Sequence, residues 1–349
     1  MNKKIKLIGD RGNSLLSQKH NSLLSQKHNS LLSQKKALEM SFAWLFSIIA
    51  GAVIILIAIY AAITFSSSSR QVIDAKILKD LSIVIDPLQT SFQDIEASKI
   101  SFMAETRFYN KCELDGKFGE QRLSLSSSSR IGEKWQEPEW EAAIANKYIF
   151  SQDLEQGKKV IIFNMPFEMP FKVSDLVFIT AGKYCFIKPP RSIERNIEII
   201  DEEFFQIDNC SEDAIKVCFD ESCDIEVRGE CANCRDLYEQ GTVYKNGKQL
   251  AYSGNLLYGA IISSKELYEC NIKRLMARTA SLADVYLDTA RIMGQRDCES
   301  NMETELMALK SSAEALDGSF GLANVLNDAN KLRLKNYNTL CSLFPKSLT

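Results

Sequence analysis

The chain has 349 residues, of which 45% are hydrophobic, and a formal net charge of −3 at pH 7. Such a chain is expected to fold around a sizeable core, and its composition excludes an intrinsically disordered protein. The charge is unevenly placed, because the first 66 residues carry eight basic and two acidic side chains and the remainder has a net charge of −9. The remainder is therefore not expected to bind nucleic acid.

Residues 13–36 consist of one octapeptide written three times, NSLLSQKH twice and then NSLLSQKK. In a helix, an eight-residue period turns the leucine pair by about 80° per copy, so no continuous apolar face forms and a coiled coil is disfavoured. We interpret residues 1–36 as a basic cytosolic tail in which the segment next to the membrane has been duplicated.

The most hydrophobic stretch runs from residue 42 to residue 65 and reads FAWLFSIIAGAVIILIAIYAAITF. As a helix it would extend about 36 Å, enough to cross a hydrocarbon core of about 30 Å. We therefore predict a transmembrane helix within residues 37–66, with the lipid bilayer as its partner. The basic residues before it predict, by the positive-inside rule, a cytoplasmic N-terminus and an extracytoplasmic C-terminal region in a single-pass protein.

Small side chains recur along the predicted membrane helix at a spacing of about four residues. Such side chains let two helices approach closely, so we predict self-association or assembly with another membrane helix. The residues are Ala43, Ser47, Gly51, Ala58 and Ala62.

All the cysteines follow the predicted membrane helix, and their number is even. An even number of cysteines in an extracytoplasmic region predicts disulfide bonds in an oxidising compartment. The candidates are Cys112, Cys185, Cys210, Cys218, Cys223, Cys231, Cys234, Cys270, Cys298 and Cys341.

The two histidines, His20 and His28, both lie in the N-terminal tail. Without histidine, the region beyond the membrane helix can form neither a Ser-His-Asp or Cys-His catalytic site nor a histidine-ligated zinc site. It also lacks the nucleotide-binding, hydrolase and metalloprotease motifs. The sequence therefore predicts a non-catalytic protein with no metal or cofactor.

The Cys231-Ala-Asn-Cys234 motif supports two alternatives. It is the spacing of thiol-disulfide oxidoreductases, although those place it at the start of a helix after a strand. Together with Cys218 and Cys223 it could also form a four-cysteine zinc site, although the spacing is irregular. We expect structural disulfides instead and keep an extracytoplasmic oxidoreductase as an alternative function.

Beyond the membrane, the pattern predicts an α+β fold in three parts. Apolar residues at a spacing of three to four predict an amphipathic juxtamembrane helix over residues 67–100. Short apolar runs between turn signals predict an antiparallel β-rich region over residues 101–262. Within it, Asn246-Gly247 predicts a two-residue hairpin turn, because both positions tolerate positive φ. The predicted strands cover 102–109, 159–165, 171–179, 184–187, 215–219 and 224–227.

Residues 263–349 are predicted to form a helical bundle. Ser263 with Glu266 and Ser300 with Glu303 have the capping-box spacing, and a third helix is expected over residues 320–341. An up-down-up arrangement would bring Cys298 and Cys341 to the same end, so we predict a disulfide between them. Cys270, at the opposite end, is predicted to tie the bundle to the β-rich region.

The segment KKALEMSFAWLFSIIAGAVIILIAIYAA (35–62), followed by an amphipathic segment and a β-rich region with cysteines, resembles the type IV pilin-like architecture. In archaeal prepilins a basic leader ending in Lys-Gly or Lys-Ala precedes a hydrophobic assembly helix, and Lys36-Ala37 resembles that junction. The resemblance implies a leader-processing junction at Lys36, Ala37 and Glu39. Glu39 would then be the second mature residue, whereas the pilin acid is usually the fifth.

Segments across most of the chain are also similar to uncharacterised archaeal single-pass membrane proteins. They are AETRFYNKC (104–112), NKYIF (146–150), PFEMPFKVSDLVFI (166–179) and YCFI (184–187). This similarity implies a location in the cell membrane and no particular activity. We therefore expect a structural or interaction role at the cell surface, with a partner that the sequence does not identify, and a processed pilin-like subunit as the first alternative.

Overall fold

The computed structural model describes residues 42–62, 95–128, 135, 138, 141–144, 146–230 and 237–346. The chain divides into two compact units, one ending at Ala61 and the other beginning at Ala62. The predicted tail and the larger part of the predicted juxtamembrane helix lie outside the described residues.

Helix α1, Phe42–Ala62, belongs to the first unit except for its last residue. Its 21 residues include no charged side chain, and none of its side chains is buried. At 1.5 Å per residue the helix extends about 32 Å, so it is long and apolar enough to cross a membrane. The predicted end at residue 65 lies outside the described residues.

The second unit begins with a six-stranded sheet, called here the first sheet. Its strand order is β3-β2-β1-β5-β6-β4, and all neighbours are antiparallel except β4 and β6. The strands are β1 (Glu96–Glu113), β2 (Glu120–Ser127), β3 (Glu141–Ile144), β4 (Tyr148–Phe150), β5 (Leu154–Glu168) and β6 (Lys172–Thr180). Because β1 begins at Glu96, the prediction that residues 96–100 are helical was wrong.

A second six-stranded sheet has the order β12-β11-β10-β9-β7-β8. Its strands are β7 (Tyr184–Ile187), β8 (Phe205–Ile207), β9 (Ile215–Phe219), β10 (Ile225–Gly229), β11 (Gln240–Lys245) and β12 (Lys248–Ser253). Strands β8, β7, β9 and β10 run parallel, which corrects the prediction of an antiparallel region. The apolar pattern locates a strand but carries no information on its direction, which depends on the connections.

Helix α2 (Arg191–Ile200) connects the parallel strands β7 and β8. This helix was not predicted from the sequence, although Ile193, Ile197 and Ile200 are buried at helical spacing. The predicted hairpin is present between β11 and β12, and its Asn246 and Gly247 have φ values of 52° and 70°.

Four helices follow, α3 (Leu256–Ile262), α4 (Lys265–Gly294), α5 (Glu303–Glu314) and α6 (Leu322–Asn338). The N-cap of α4 is Ser264 instead of the predicted Ser263, and its Oγ accepts from Leu267 N at 3.3 Å. The N-cap of α5 is Met302, without a side-chain cap, so Ser300 does not have the predicted role. The α+β class is confirmed, and these corrections shift helix ends by a few residues.

The main core contains one face of each sheet and the inner faces of α3 to α6. Along β5 the alternation is clear, because Phe163 lies in this core whereas Ile162 lies in a smaller cluster on the opposite face of the first sheet. Every residue of α3 is buried, and Gly259 brings its backbone against the ring of Phe150. The short helix is thus enclosed by the rest of the unit.

Candidate functional site

Four disulfide bonds join described cysteines, all of them in the second unit. The predicted bond between Cys298 and Cys341 is present. Cys270 of α4 bonds to Cys112 of β1, so it joins the helices to the first sheet as predicted. The other two bonds are Cys185–Cys210 and Cys218–Cys223.

The predicted redox motif, Cys231 and Cys234, lies outside the described residues. The four-cysteine zinc alternative is contradicted, because Cys218 and Cys223 are bonded to each other at an S–S distance of 2.10 Å. Among the residues that the structure describes, no group of three or more His, Cys, Asp or Glu side chains could hold a metal ion.

Of the candidate helix-packing residues, Ala43, Ser47 and Gly51 lie near one face of α1. Ser47 Oγ donates to Ala43 O at 2.9 Å, which satisfies the hydroxyl within the helix. Ala58 and Ala62 continue the helix towards its C-terminal end. The possible processing junction, Lys36, Ala37 and Glu39, lies outside the described residues.

A buried polar cluster, here the Arg274 cluster, lies beside the Cys112–Cys270 bond. Arg274 is 1% exposed. Its Nη1 donates to Lys147 O at 2.9 Å, to Asn271 Oδ1 at 3.0 Å and to Gln121 Oε1 at 3.1 Å, and its Nε donates to Phe118 O at 3.0 Å. Burial lowers the pKa of Arg274, and no carboxylate pairs with it in the described part of the chain.

Within the Arg274 cluster, Gln121 takes the place of a neighbouring strand for β4. Ile149 N donates to Gln121 Oε1 at 2.6 Å, and Gln121 Nε2 donates to Ile149 O at 2.7 Å. Asn271 Nδ2 donates to the same carbonyl at 2.8 Å. The cluster therefore satisfies the outer edge of β4, which would otherwise be buried without partners, and its donors are used within the protein.

Lys245 is a second buried cation, at the end of β11. It is 9% exposed, and its Nζ donates to Ile261 O at 2.9 Å and to Ser263 O. These carbonyls end helix α3, where a cation is favoured by the helix dipole. Burial lowers the pKa of Lys245 to about 7, and Lys248 acts in the same direction.

Because the pKa of Lys245 is lower in the folded than in the unfolded chain, the unfolded chain binds more protons between about pH 7 and pH 10. The buried ammonium therefore lowers the free energy of unfolding by its full amount below about pH 7. This loss becomes smaller as the pH rises above 7 and the folded chain releases the proton. Relative to Lys245→Met, the native chain should gain stability between pH 7 and pH 9 at no more than about 1.4 kcal/mol per pH unit. Urea unfolding of both proteins at several pH values measures the difference in slope.

Lys331→Met is the matched control, because Lys331 is exposed, is paired with Asp328 at 3.2 Å and does not act on the pKa of Lys245. Its pH slope should follow that of the native chain. Equal slopes for the native chain and Lys245→Met would contradict a lowered pKa at Lys245.

A cavity of about 560 Å³ lies beyond the carboxyl ends of strands in the second sheet. We call it the carboxyl-edge pocket. The residues that matter for its chemistry are Arg191, Arg195, Asn196, Tyr238, Asn255 and Tyr258. Its size is that of ligand pockets, which enclose about 300 to 1,000 Å³.

The strand directions explain why these residues meet. Strand β12 is antiparallel to β11, which is antiparallel to β10, so β12, β10, β9, β7 and β8 all run in the same direction. Arg191 follows β7, Tyr238 follows β10 and Asn255 follows β12. Asp220 follows β9 and accepts from Tyr238 Oη at 2.5 Å. Strand β7 lies between β8 and β9, and the chain continues from β7 first to β8 on one side and then to β9 on the other. Open parallel sheets bind ligands at such a point, beyond the carboxyl ends of the strands.

None of the pocket residues was predicted as a site. The apolar spacing from Ile193 to Ile200, directly after Pro189 and Pro190, could have revealed α2 and its N-terminus. Nothing in the sequence could have placed that N-terminus beside Tyr238 and Tyr258, because strand order and direction bring them together. Comparison of the chain with protein-family models, with curated proteins and with solved structures finds no match.

Proposed function

We propose that this protein is a single-pass membrane protein whose second unit lies outside the cytoplasm and has a structural or interaction role at the cell surface, without catalysis. The observation that carries the proposal is the position of the disulfide bonds. Four of them join described cysteines in the second unit, and no cysteine precedes α1. Such bonds persist in oxidising compartments and are rare in the cytosol.

The charge distribution supports the same orientation independently. Eight basic side chains precede α1, whereas the segment directly after it mixes both signs. By the positive-inside rule, the basic flank favours the cytoplasm. With its basic flank in the cytoplasm, the helix would place the disulfide-bonded unit on the other side of the membrane.

A non-catalytic role is supported by how the buried charges are used. The guanidinium of Arg274 donates to backbone and amide oxygens, and the ammonium of Lys245 donates to the carbonyls at the end of α3. The hydrogen-bond donors of both groups are therefore used within the fold. Neither lines the carboxyl-edge pocket.

Protease treatment of intact cells tests the orientation. The chain is expressed with one epitope tag before Met1 and a different one after Thr349. The C-terminal tag should be removed by external protease and the N-terminal tag protected until the cells are lysed. Protection of the C-terminal tag, with loss of the N-terminal one, would overturn the proposal.

The N-terminus of the membrane-extracted protein separates a simple anchor from the processed pilin-like alternative. Mass spectrometry should find an intact N-terminus for the anchor, whereas a chain that begins at Leu38 would favour a processed subunit of a surface assembly.

A thiol-labelling experiment tests the oxidoreductase alternative. Free thiols are first blocked by alkylation, and the protein is then mildly reduced and labelled. A redox-active pair at Cys231 and Cys234 would take up the label, while the structural bonds stay closed.

A further inference from the structure

We propose that Asn209 is a glycosylation site, at which an oligosaccharide is attached to the side-chain amide. Asn209-Cys210-Ser211 has the Asn-x-Ser pattern of N-glycosylation acceptors, and no other Asn-x-Ser or Asn-x-Thr occurs in the chain. The inference rests on the proposed function, because these acceptors are modified on chains that leave the cytoplasm.

The transfer needs a lipid-linked oligosaccharide as co-substrate. The amide nitrogen of Asn209 forms a bond to C1 of the first sugar and gives up one proton. The bond from C1 to the phosphate of the lipid carrier breaks, and the phosphate keeps the electron pair. No oxidant or reductant takes part.

The first observation is that the asparagine side chain is accessible. Asn209 is exposed and lies in the connection between β8, which ends at Ile207, and β9. Its backbone N–H donates to Ile207 O at 2.6 Å, which holds the turn. Its carboxamide has no hydrogen-bond partner in the part of the chain that the structure describes. An exposed carboxamide on a surface turn is where an oligosaccharide is tolerated.

The second observation is an open cavity beside this turn, of about 630 Å³. Asn209 itself lines the cavity, together with Gln206 and the carboxylates of Glu198 and Glu202. Both carboxylates are exposed, and neither is paired with a cation of the described residues. Because amide and carboxylate oxygens accept hydrogen bonds from hydroxyls, the cavity offers room and acceptors for the first sugars of the oligosaccharide.

The third observation is that β8 lies at the edge of the second sheet, where its neighbour among the described strands is β7 alone. An edge strand presents unpaired backbone groups to other chains, and proteins commonly cover such edges. A bulky hydrophilic oligosaccharide at Asn209, just beyond the end of β8, would keep other chains away from this edge.

The position of Ser211 determines when the transfer takes place. Ser211 Oγ is shielded from water in the folded chain, with Asp213 as its polar neighbour. Cys210, the middle residue of the acceptor sequence, is bonded to Cys185 of β7. The hydroxyl of the acceptor sequence must be reached together with the asparagine, so the transfer precedes closure of the Cys185–Cys210 bond.

Expression of the full chain in cultured eukaryotic cells, which glycosylate exported chains, tests the inference. We expect one oligosaccharide per chain, seen as a loss of mass when a peptide-N-glycosidase removes it and turns Asn209 into aspartate. Asn209→Gln and Ser211→Ala should each abolish the modification. Ser211→Thr should keep it, because threonine supplies the same hydroxyl.

Lys248→Thr is the matched control, because it places a hydroxyl two residues after the exposed Asn246, in the turn between β11 and β12. This variant should carry two oligosaccharides. One oligosaccharide in Lys248→Thr and none in the native chain would overturn the inference and leave the orientation intact. None in either chain would overturn the proposed orientation and the inference with it.

Discussion

Replacing Cys112 and Cys270 together by serine is expected to lower the free energy of unfolding by about 5 kcal/mol. The bond joins β1 to α4 and closes a segment with a sequence separation of 158 residues. In the chain-entropy description, a cross-link restricts the unfolded chain more as the loop it closes becomes longer. Cys112–Cys270 closes the longest loop of the described bonds, so its loss should have the largest effect among them.

The Cys218–Cys223 bond provides the comparison, because its sequence separation is 5 residues. The same relation gives about 2 kcal/mol for its removal. Urea unfolding of the full chain in detergent micelles, followed by circular dichroism, measures both double variants against the native chain. Equal losses for the two pairs would show that loop length does not determine what these bonds contribute.

Arg274→Ala is expected to lower the free energy of unfolding by about 3 to 5 kcal/mol. The change leaves Phe118 O and Lys147 O without the guanidinium that now donates to them, and it removes a fully buried side chain. Each buried acceptor left without a donor destabilises by about 1 to 3 kcal/mol. The expected total is smaller than the sum over all acceptors of the guanidinium, because water can enter part of the space that the side chain leaves.

Arg291→Ala on the same helix is the control. Its side chain is exposed and paired with Asp288 at 3.1 Å, so its loss should change the free energy of unfolding by no more than about 0.5 kcal/mol. Lys at position 274 would keep the charge, yet it lacks the planar array of donors that reaches several acceptors at once. We expect Arg274→Lys to be destabilising as well. A native-like unfolding midpoint for both position-274 variants would contradict the stabilising role given to the cluster.

The elements that the sequence predicted well are those set by local rules. Strands β7 and β9 begin and end where their apolar runs do, at residues 184–187 and 215–219. The turn at Asn246 and Gly247 forms because these residues adopt positive φ with little strain. Helix ends were less accurate, since Ser264 caps α4 although neighbouring Ser263 has the capping-box spacing.

The prediction failed where the outcome depends on distant partners. Residues 96–100 became strand because β1 pairs with β5 from Glu96 onwards, a contact across more than fifty residues of sequence. The parallel direction of β7 to β10 follows from α2 and the short connections beside it. Both results depend on which separate segments of the chain pair with each other, and the apolar pattern of one segment does not contain that information.

The sequence by itself determined the apolar helix, the α+β class and the hairpin, because hydrophobic length, periodicity and residue chemistry are local properties. It also determined the Cys298–Cys341 pairing, because three consecutive helices with short connections run up, down and up. Only the tertiary structure decided that Gln121 completes the edge of β4 and that Arg274 is buried among carbonyls. It also decided that Arg191 and Tyr258 line one pocket. Such sites form where separate strands end at the same edge of a sheet, and strand order and direction are settled only when the whole core packs.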